Sequence, residues 1–360
     1  MSERLPSATL ALAMGDPAGI GPEISLRAAL TFKERLIAGE LKLLLVGSSA
    51  AVSRSEELNY GALRGAIHLP GVRIIGVEEE PHSHAFGQLS AAAGEVAYRA
   101  AEACVGLVRS GAADGIVTAP LNKEALFLAG RRFAGYTDML AYLTGSQQAV
   151  MMLAHGPVRI SHVTTHVALS EVPKLVTPER LERVVRLTAD ALRAFGIKHP
   201  RIAVAALNPH AGEGGNFGIE DDLVIRPTID ALCTAGLDVD GPVPGDTVFV
   251  KHVGGQYDAV VAMYHDQGHI PFKLLGFKID PASGKWDLHG TNISLGLPLV
   301  RTSVDHGTAF DIAGSGTANA DSMVEAIEVA LKLIRGRERV EDQSEAEKAK
   351  RESKLKGERQ

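Results

Sequence analysis

The sequence has almost no cysteine and no long apolar run. Its 360 residues contain two cysteines, Cys104 and Cys233, which lie far apart in segments with the apolar spacing of helices. Neither a disulfide framework nor a cysteine-based metal site is therefore expected. No apolar stretch approaches the roughly 20 residues that span a bilayer, and the first residues lack the apolar core of a signal peptide. We expect a cytoplasmic protein that has no membrane partner.

The sequence also lacks an excess of positive charge. Lysine and arginine total 37 against 43 aspartate and glutamate residues, which gives a formal net charge of −6. This balance gives no electrostatic reason to expect a nucleic acid or an anionic membrane as partner, and any small anion needs a local site. With 45% hydrophobic and 22% charged residues, the composition excludes a disordered chain and a fibre.

What is present is an alternation of short apolar runs with helix-length amphipathic segments. The runs are TLALAMG, LKLLLVG, VRIIGV, GIVTAP, AVMMLAH, VRISHVTTH, RIAVAAL and AVVAMYH. Runs that are apolar on both faces predict the central strands of a doubly wound α/β sheet with helices on each side. The spacing predicts helices over 178–194, capped by Thr177, and over 320–334, capped by Asn319. Residues 1–335 are expected to form one catalytic unit of two intertwined α/β lobes, and the charged residues 336–360 a disordered or frayed helical tail.

Three histidines follow apolar runs, at positions where α/β proteins bind ligands. His166 lies in VTTHVALSEVP, His210 in ALNPHAGEGGNFG and His265 in VVAMYHDQGHIPFK. Imidazoles from three strand ends can supply three neutral nitrogens to one divalent ion and leave a position open for substrate. The alternative is that each is a structural histidine held by hydrogen bonds.

His265 and His269 also have the spacing of the paired ligands in zinc proteases. That motif requires both histidines on one helix with a glutamate as general base, and Gly268 and Pro271 weaken a helix here. The protease interpretation is therefore not favoured.

Two glycine-rich segments are candidate ligand loops. GDPAGIGPE joins a predicted strand to a predicted helix, and it is either a structural turn or a ligand loop, because its glycines do not match GxGxxG. RTSVDHGTAFDIAGSGTANADS resembles the loop of isocitrate and isopropylmalate dehydrogenases that holds the adenosine end of NAD or NADP. The matching residues are Asp305, His306, Gly307, Thr308, Asp311, Gly314, Gly316 and Asn319.

Taken together, the motifs resemble those of the 4-hydroxythreonine-4-phosphate dehydrogenase family of pyridoxal phosphate biosynthesis. They are MGDPAGIGPEI, TAPLNKEAL, GYTDMLA, HVTTH, LNPHAGEGG, GPVPGDTVF, AMYHDQGHIPFK and RTSVDHGTAFDIAG. The resemblance implies a two-lobed fold like that of isocitrate and isopropylmalate dehydrogenases, with a doubly wound mixed sheet. It also implies NAD or NADP, one divalent metal (zinc, or magnesium, manganese or cobalt), a small anionic substrate, and a homodimer with shared active sites.

The resemblance also assigns roles to individual residues. The positions that bind the metal in the family correspond to His166, His210 and His265. The positions that contact substrate correspond to Tyr136, Thr137, Lys273, Asn292 and Arg301. The candidates for moving a proton are Lys273 and Asp246.

Two departures from the family pattern bear on the substrate. Tyr136 stands where the family usually has histidine, and the linker 278–291, which contains Trp286, is longer than usual. Side branches of the family act on 4-phosphothreonate, 4-phosphoerythronate or the cis-dihydrodiol made from terephthalate. A phenol in place of an imidazole slightly favours the dicarboxylate dihydrodiol, whereas Asn292 and Arg301 suit either a phosphate or a carboxylate.

The residues and the resemblance together predict a metal- and NAD(P)-dependent dehydrogenase that oxidises a secondary alcohol and decarboxylates the product. Two other classes stay open. One is a metal hydrolase that uses the three histidines without nicotinamide, and the other is a phosphosugar-acid binding protein without catalysis.

Overall fold

The chain divides into two compact units. The structure, a computed structural model, describes residues 7–58, 63–77, 84–146, 149–279, 281 and 286–357, except for the side chains of 58, 286–288 and 340–357. Unit 1 comprises Met1–Ile160 and Gly268–Ala330, and unit 2 comprises Ser161–Gln267 and Leu331–Gln360. Each unit is thus assembled from two separate stretches of the sequence.

Strands and helices alternate along much of the chain. The strands are β1 (Ala8–Ala13), β2 (Leu41–Gly47), β3 (Val72–Gly76), β4 (Gly115–Thr118), β5 (Val150–His155), β6 (Val158–His162), β7 (Arg201–Ala205), β8 (Asp238–Val243), β9 (Ala259–Ala262), β10 (Phe277–Ile279), β11 (Trp286–Leu288), β12 (Thr291–Leu295) and β13 (Val300–Val304). The helices are α1 (Gly21–Thr31), α2 (Lys33–Ile37), α3 (Ser49–Leu58), α4 (Ala91–Arg109), α5 (Lys123–Leu128), α6 (Tyr136–Thr144), α7 (Val172–Leu175), α8 (Pro178–Ala194), α9 (Arg226–Thr234), α10 (Gly245–Val253), α11 (His265–Gly276) and α12 (Asp321–Gly357). Short 3-10 turns occupy Ala66–His68, Leu169–Glu171 and Pro209–Gly212, and a π-helical turn occupies Asp221–Ile225.

Unit 1 contains a mixed sheet in the order β3-β2-β1-β4-β13-β12-β5. Neighbouring strands are parallel, except that β12 runs antiparallel to both β13 and β5. Helix α4 packs on β1 and β2, and its apolar face joins a buried core with Val46, Ile116 and Met139. Strand β4 is buried along its whole length, as expected for a central strand that is covered on both faces. The predicted α/β class with a mixed sheet is confirmed.

Unit 2 is built around the parallel strands β9, β7 and β8, in that order. Beside β9 lies the segment that follows β6, because the Val163 and Thr164 N–H groups donate to the carbonyls of Ala262 and Met263. Helix α8 packs against β9 and α9, and its buried residues recur at helical spacing. The Thr177 hydroxyl caps α8 by accepting from the Arg180 N–H, at 3.3 Å.

The apolar runs in the sequence predict strands correctly, whereas strands that contain polar residues were not predicted. Each of the eight runs contains a strand, β1 to β7 and β9. Strands β8 and β10 to β13 were not predicted; in β12 and β13 the reason is that polar side chains such as Asn292, Ser294 and Arg301 interrupt the apolar pattern. The helix over 178–194 is confirmed. The predicted 320–334 helix begins at Asp321 and continues as one helix to Gly357, through residues rich in the strong helix formers Glu, Lys, Ala and Arg.

Both cysteines are free thiols, Cys104 buried in α4 and Cys233 exposed on α9. Within the ranges given above, no helix combines the length and the apolar character needed to cross a bilayer.

Candidate active site

A buried guanidinium lies at the centre of a polar cluster in unit 1. Arg301 on β13 is only 3% exposed. Its Nη1 donates to the Ser294 hydroxyl at 2.9 Å and its Nη2 to the Thr118 hydroxyl at 2.7 Å. Its Nε is buried without a hydrogen-bond partner, and it forms no ion pair within the described part of the chain. Burial lowers the pKa of Arg301 to about 10. A buried cation whose hydrogen-bond partners are neutral hydroxyls is costly in a folded protein, so its site is suited to an anionic ligand.

The first turn of α6 adds further donors to this cluster. Thr137 and Ser294 join through their hydroxyls at 3.2 Å, and the Tyr136 ring centroid lies 5.3 Å from the Arg301 guanidinium carbon. No side chain caps the turn at Gly135, so its N–H groups present partial positive charge. The Tyr136 hydroxyl is buried and has no hydrogen-bond partner among the described groups. Burial raises the pKa of Tyr136, which keeps the phenol neutral and able to donate.

The antiparallel pairing of β12 with β13 explains how these polar groups meet. Asn292 pairs with Ser303 and Ile293 with Thr302, which brings Ser294 opposite Arg301. Because side chains alternate along a strand, Asn292 and Ser294 share one face of the sheet. The side-chain amide oxygen of Asn292, Oδ1, is also buried and unpartnered within the described residues. Four of the five predicted substrate-contacting residues therefore lie on two adjoining elements, α6 and the β12–β13 pair.

Asp16 is a buried carboxylate that the motif reading missed. It follows β1 in the GDPAGIGPE turn and is 1% exposed. Its Oδ1 accepts from the Ala18 N–H at 2.8 Å, whereas its Oδ2 has no partner in the described part of the chain. Burial raises the pKa of Asp16 to about 6, against the opposing effect of the Ala18 hydrogen bond. The signal available in the sequence is an acidic residue three positions after an apolar strand.

We expect Asp16→Asn to stabilise the protein at alkaline pH. The folded-state pKa of about 6 exceeds the ordinary value of 3.8, so the free energy of unfolding falls as the pH rises from about 4 to above 6. Two pKa units correspond to about 3 kcal/mol at most. Asparagine retains the acceptor for Ala18 and cannot ionise, so the variant should melt higher than wild type at pH 8 and the difference should shrink towards pH 4. Identical pH dependence of the two melting curves would contradict this.

In unit 2, two of the three predicted metal ligands lie together. The His166 and His265 ring centroids are 5.6 Å apart. Asp266 Oδ1 accepts from His265 Nδ1 at 2.6 Å. The two histidines border a cavity of about 400 Å³. Its walls are formed by Thr165, His166, Val167, Leu169, Val172, Tyr264, His265 and Asp266.

His210 occupies a different place in unit 2. It lies in the turn after β7, exposed, with left-handed backbone (φ 52°) and its ring centroid 6.3 Å from that of Phe217. It does not line the cavity beside His166 and His265. Among the described residues of one chain, no three or more His, Cys, Asp or Glu side chains are grouped to hold a metal ion. The three-histidine site remains a prediction.

One expectation about α11 is wrong. His265 and His269 do lie on one helix, which runs to Gly276 with Pro271 inside it. Proline removes a single backbone hydrogen bond, and the fully buried Phe272 holds the second half of the helix in place. His269 is buried and does not line the cavity.

The two glycine-rich segments form one structure in unit 1. The Ile20 N–H donates to the Thr308 carbonyl at 3.0 Å, and a Cβ on Gly19 would lie 2.9 Å from that carbonyl oxygen. Arg27 donates to the Gly316 carbonyl at 2.6 Å, which ties the loop to α1. By contrast, a Cβ on Gly307 would meet nothing within 4 Å, so packing does not require glycine there and the backbone is open to a ligand.

The remaining predicted cofactor residues have distinct surroundings. Asn319 caps α12 by accepting from the Asp321 N–H at 2.7 Å, and Gly314 lies against the Phe86 ring. Burial lowers the pKa of His306, and its ring Nδ1 donates to the Gly307 carbonyl. Asp311 is exposed, and the Asp305 N–H lies 3.4 Å from the Ser322 hydroxyl. Their role towards NAD or NADP remains a prediction.

Comparison with known proteins places the chain in a family. Residues 30–330 match the family described as pyridoxal phosphate biosynthetic protein PdxA. The chain belongs to the PdxA family. It is 56% identical to a Bradyrhizobium diazoefficiens protein that carries the provisional name D-threonate 4-phosphate dehydrogenase, over 91% of this chain and 97% of the relative.

Two solved structures share the fold. The 4-hydroxythreonine-4-phosphate dehydrogenase of Klebsiella pneumoniae is 39% identical, with a TM-score of 0.74 over 91% of this chain and 100% of the other. The terephthalate 1,2-cis-dihydrodiol dehydrogenase of Burkholderia xenovorans is 30% identical, with a TM-score of 0.63 over 92% and 98%. These relatives are named as dehydrogenases, and the chain is accordingly an enzyme of the oxidoreductase class.

The two residues predicted to move a proton in this PdxA-family chain are exposed. Asp246 lies in the first turn of α10, and the Lys273 Nζ on α11 lies 5.3 Å from the Phe277 ring centroid. Neither forms an ion pair within the described residues. Their catalytic roles stay predictions.

Proposed function

We propose that the chain oxidises the secondary alcohol of a small phosphorylated hydroxy acid, using NAD or NADP and a divalent cation. The observation that carries this proposal is the buried Arg301, whose hydrogen-bond partners are the neutral hydroxyls of Ser294 and Thr118. D-Threonate 4-phosphate and 4-hydroxythreonine 4-phosphate, the substrates in the relatives' names, each carry a phosphate for such a site. A terephthalate-type dihydrodiol is not favoured as substrate. The dehydrogenase named for that substrate is 30% identical to this chain, whereas the relatives named for phosphorylated substrates are 39% and 56% identical.

The polar cluster supplies the contacts to the phosphate. Arg301 provides the charge, the Thr137 and Ser294 hydroxyls provide adjustable donors, and Tyr136 donates through its otherwise unpartnered phenol. Hydrogen bonds to a charged group contribute about 1.5 to 3 kcal/mol each. The cluster therefore supplies the donors that a phosphate group needs.

The histidines fit a divalent cation. His166 and His265 lie beside one cavity, and the hydrogen bond from His265 Nδ1 to Asp266 leaves Nε2 as the basic ring nitrogen. We assign His210 of a second copy as the third ligand. Held by these histidines, a divalent cation would supply Lewis-acid chemistry: a lower pKa for the substrate hydroxyl, charge stabilisation at the new carbonyl and, for a β-keto acid product, help with loss of carbon dioxide. Lys273 and Asp246 are the proposed groups that accept or relay the hydroxyl proton.

The loop 305–319 fits a nicotinamide cofactor at its adenosine end. The open face at Gly307 and the hydrogen bond from Ile20 to Thr308 provide a fixed loop that a ligand can approach. When bound, NAD or NADP accepts the hydride. A metal hydrolase or a binding protein has no need of this loop, which is why we place both behind the dehydrogenase.

We propose a homodimer with shared active sites, located in the cytoplasm. Ile270 and Leu274 lie one helical turn apart on α11 and are 65% and 80% exposed. A second copy that covers this apolar face also surrounds Lys273, which lies between them in sequence. The free thiols of Cys104 and Cys233 agree with a reducing compartment.

A substrate panel combined with variants of Tyr136 tests the substrate class. Wild type should reduce NAD or NADP faster with D-threonate 4-phosphate or 4-hydroxythreonine 4-phosphate than with a dihydrodiol dicarboxylate. Tyr136→Phe should lower kcat/KM for the phosphorylated acid by about 10- to 100-fold, because one charge-assisted hydrogen bond is lost. Its melting temperature should not change, since the hydroxyl has no partner in the described protein.

Tyr142→Phe is the matched control, because that tyrosine is 69% exposed on the same helix. It should leave both kcat/KM and stability at wild-type values. A dihydrodiol that outperforms every phosphorylated acid, or a Tyr136→Phe enzyme with undiminished kcat/KM, would overturn the assignment.

A further inference from the structure

The side chain of Gln267 joins the ends of two strands in unit 2. Its Nε2 donates to the Ala206 carbonyl at 2.8 Å, one residue after β7 ends. Its Oε1 accepts from the Met263 N–H at 2.7 Å, one residue after β9 ends. A single amide thus fixes the separation of these two strand ends, which the sheet hydrogen bonds no longer hold.

The end of a third strand, β6, is hydrogen-bonded to Met263 as well. The Met263 carbonyl accepts from both the N–H and the hydroxyl of Thr164, at 3.1 and 2.8 Å. Thr164 is two residues after β6 ends and is buried. The network therefore runs from Thr164 through Met263 and Gln267 to Ala206, and it spans three strand ends.

Each of these strand ends leads to one of the predicted metal ligands. Thr164 precedes His166 by two residues, Met263 precedes His265 by two, and Ala206 precedes His210 by four. Within one chain, the Gln267 amide thus helps to set where the backbone before His265 lies relative to the turn whose His210 we assign to the site of a second copy.

The turn that carries His210 is itself rigid. Asp221 is fully buried, and its carboxylate accepts from the N–H groups of Leu207 and Asn208 at 2.8 and 2.9 Å. It also accepts from the Asn208 side-chain amide, at 3.0 Å. The residues between Ala206 and His210 are therefore held at two points, by Gln267 at Ala206 and by Asp221 at Leu207 and Asn208.

We propose that Gln267 is a positioning residue that sets the spacing of the histidine-bearing strand ends and thereby the affinity for the divalent cation. This inference rests on the proposed role of His166 and His265 as metal ligands. Groups that hold metal ligands in place typically change metal affinity by about 10- to 100-fold when removed.

The test compares cobalt(II) and zinc(II) binding by full-length wild type, Gln267→Met and Gln267→Glu. Methionine has similar length without the amide, and glutamate retains an acceptor for Met263 but places a carboxylate oxygen against the Ala206 carbonyl. Both variants should bind zinc(II) about 10- to 100-fold more weakly in competition with a chromogenic chelator. Their cobalt(II) absorption spectra should also change, whereas kcat at saturating metal should stay within about threefold of wild type.

Gln256→Met is the control, because Gln256 is exposed in the same unit. It should bind metal as wild type does. Thr164→Val provides a second, milder variant, since it removes one of the two bonds to Met263, and it should weaken zinc(II) binding by less than Gln267→Met does. Melting of the metal-free proteins monitors folding in each case.

Unchanged zinc(II) affinity and cobalt(II) spectrum in both Gln267 variants would overturn the inference. If Gln267→Met fails to fold, an unchanged affinity in Gln267→Glu and Thr164→Val has the same meaning. Failure of the proposed function is a separate result: wild type then binds no zinc(II), or binds it equally well after His265→Ala.

Discussion

Arg301→Gln should lower kcat/KM for a phosphorylated hydroxy acid by about 100- to 10,000-fold. The site then loses its positive charge and about two charge-assisted hydrogen bonds to the anion, of about 1.5 to 3 kcal/mol each. The free energy of unfolding should stay within about 1 kcal/mol of wild type or rise, since a buried cation without an acidic partner destabilises the fold. Arg301→Lys retains the charge without the planar fork and should give an intermediate kcat/KM. Steady-state kinetics and denaturant unfolding measure the two effects.

Arg131→Gln is the matched control in the same unit. Arg131 is paired with Glu95 through two hydrogen bonds of 2.9 Å and lies 3.9 Å from the Tyr98 ring centroid. Its removal should lower stability by about 1 kcal/mol and leave kcat/KM unchanged. If Arg301→Gln instead destabilises the protein strongly and leaves kcat/KM near wild type, the polar cluster is structural.

His265→Ala should reduce metal-dependent activity by at least about 1,000-fold, and His166→Ala should do the same, because each removes a ligand that is expected to hold the cation. Both variants should bind zinc(II) far more weakly, with melting temperatures of the metal-free proteins close to wild type. Activity that persists in either variant at saturating metal would contradict the assignment.

Mixing subunits tests whether His210 acts in the site of the second copy. His166 and His265 lie together within one chain, and His210 does not line their cavity. A dimer of one His265→Ala and one His210→Ala chain then retains one intact set of three, so a fully exchanged equal mixture should regain about a quarter of wild-type activity. No recovery despite proven subunit exchange would mean that each chain supplies all three ligands to its own site.

The strands that could be predicted from the sequence are those whose side chains are apolar along most of their length, including the strands that precede the predicted metal ligands. LKLLLVG and AVVAMYH read as strands because their side chains are apolar on both faces, and they form β2 and β9. Strands β12 and β13 were missed because Asn292, Ser294 and Arg301 break the apolar pattern. These are the residues that form the polar cluster, so the departure from the pattern and the candidate site have the same cause.

Motifs indicated which residues matter, and the fold determines how they are grouped. The sequence singled out Arg301 and Tyr136 separately, but their proximity depends on how α6 packs beside β12 and β13. Gln267 was not identified, because an amide that bridges distant strand ends leaves no local pattern in the sequence. Asp16 was missed because its burial and its unpartnered carboxylate oxygen are properties of the fold. Gly268 and Pro271 were expected to weaken a helix, and the burial of Phe272 outweighs their effect.

The absorbance of reduced nicotinamide tests the central claim most directly. Metal-free enzyme is mixed with D-threonate 4-phosphate or 4-hydroxythreonine 4-phosphate, NAD or NADP, and a divalent cation, with each component omitted in turn. The absorbance should rise only when phosphorylated substrate, nicotinamide and cation are all present, and Arg301→Gln should nearly abolish the rise. Substrate consumed with release of inorganic phosphate and without reduction of nicotinamide, or no reaction with either phosphorylated acid, would contradict the account.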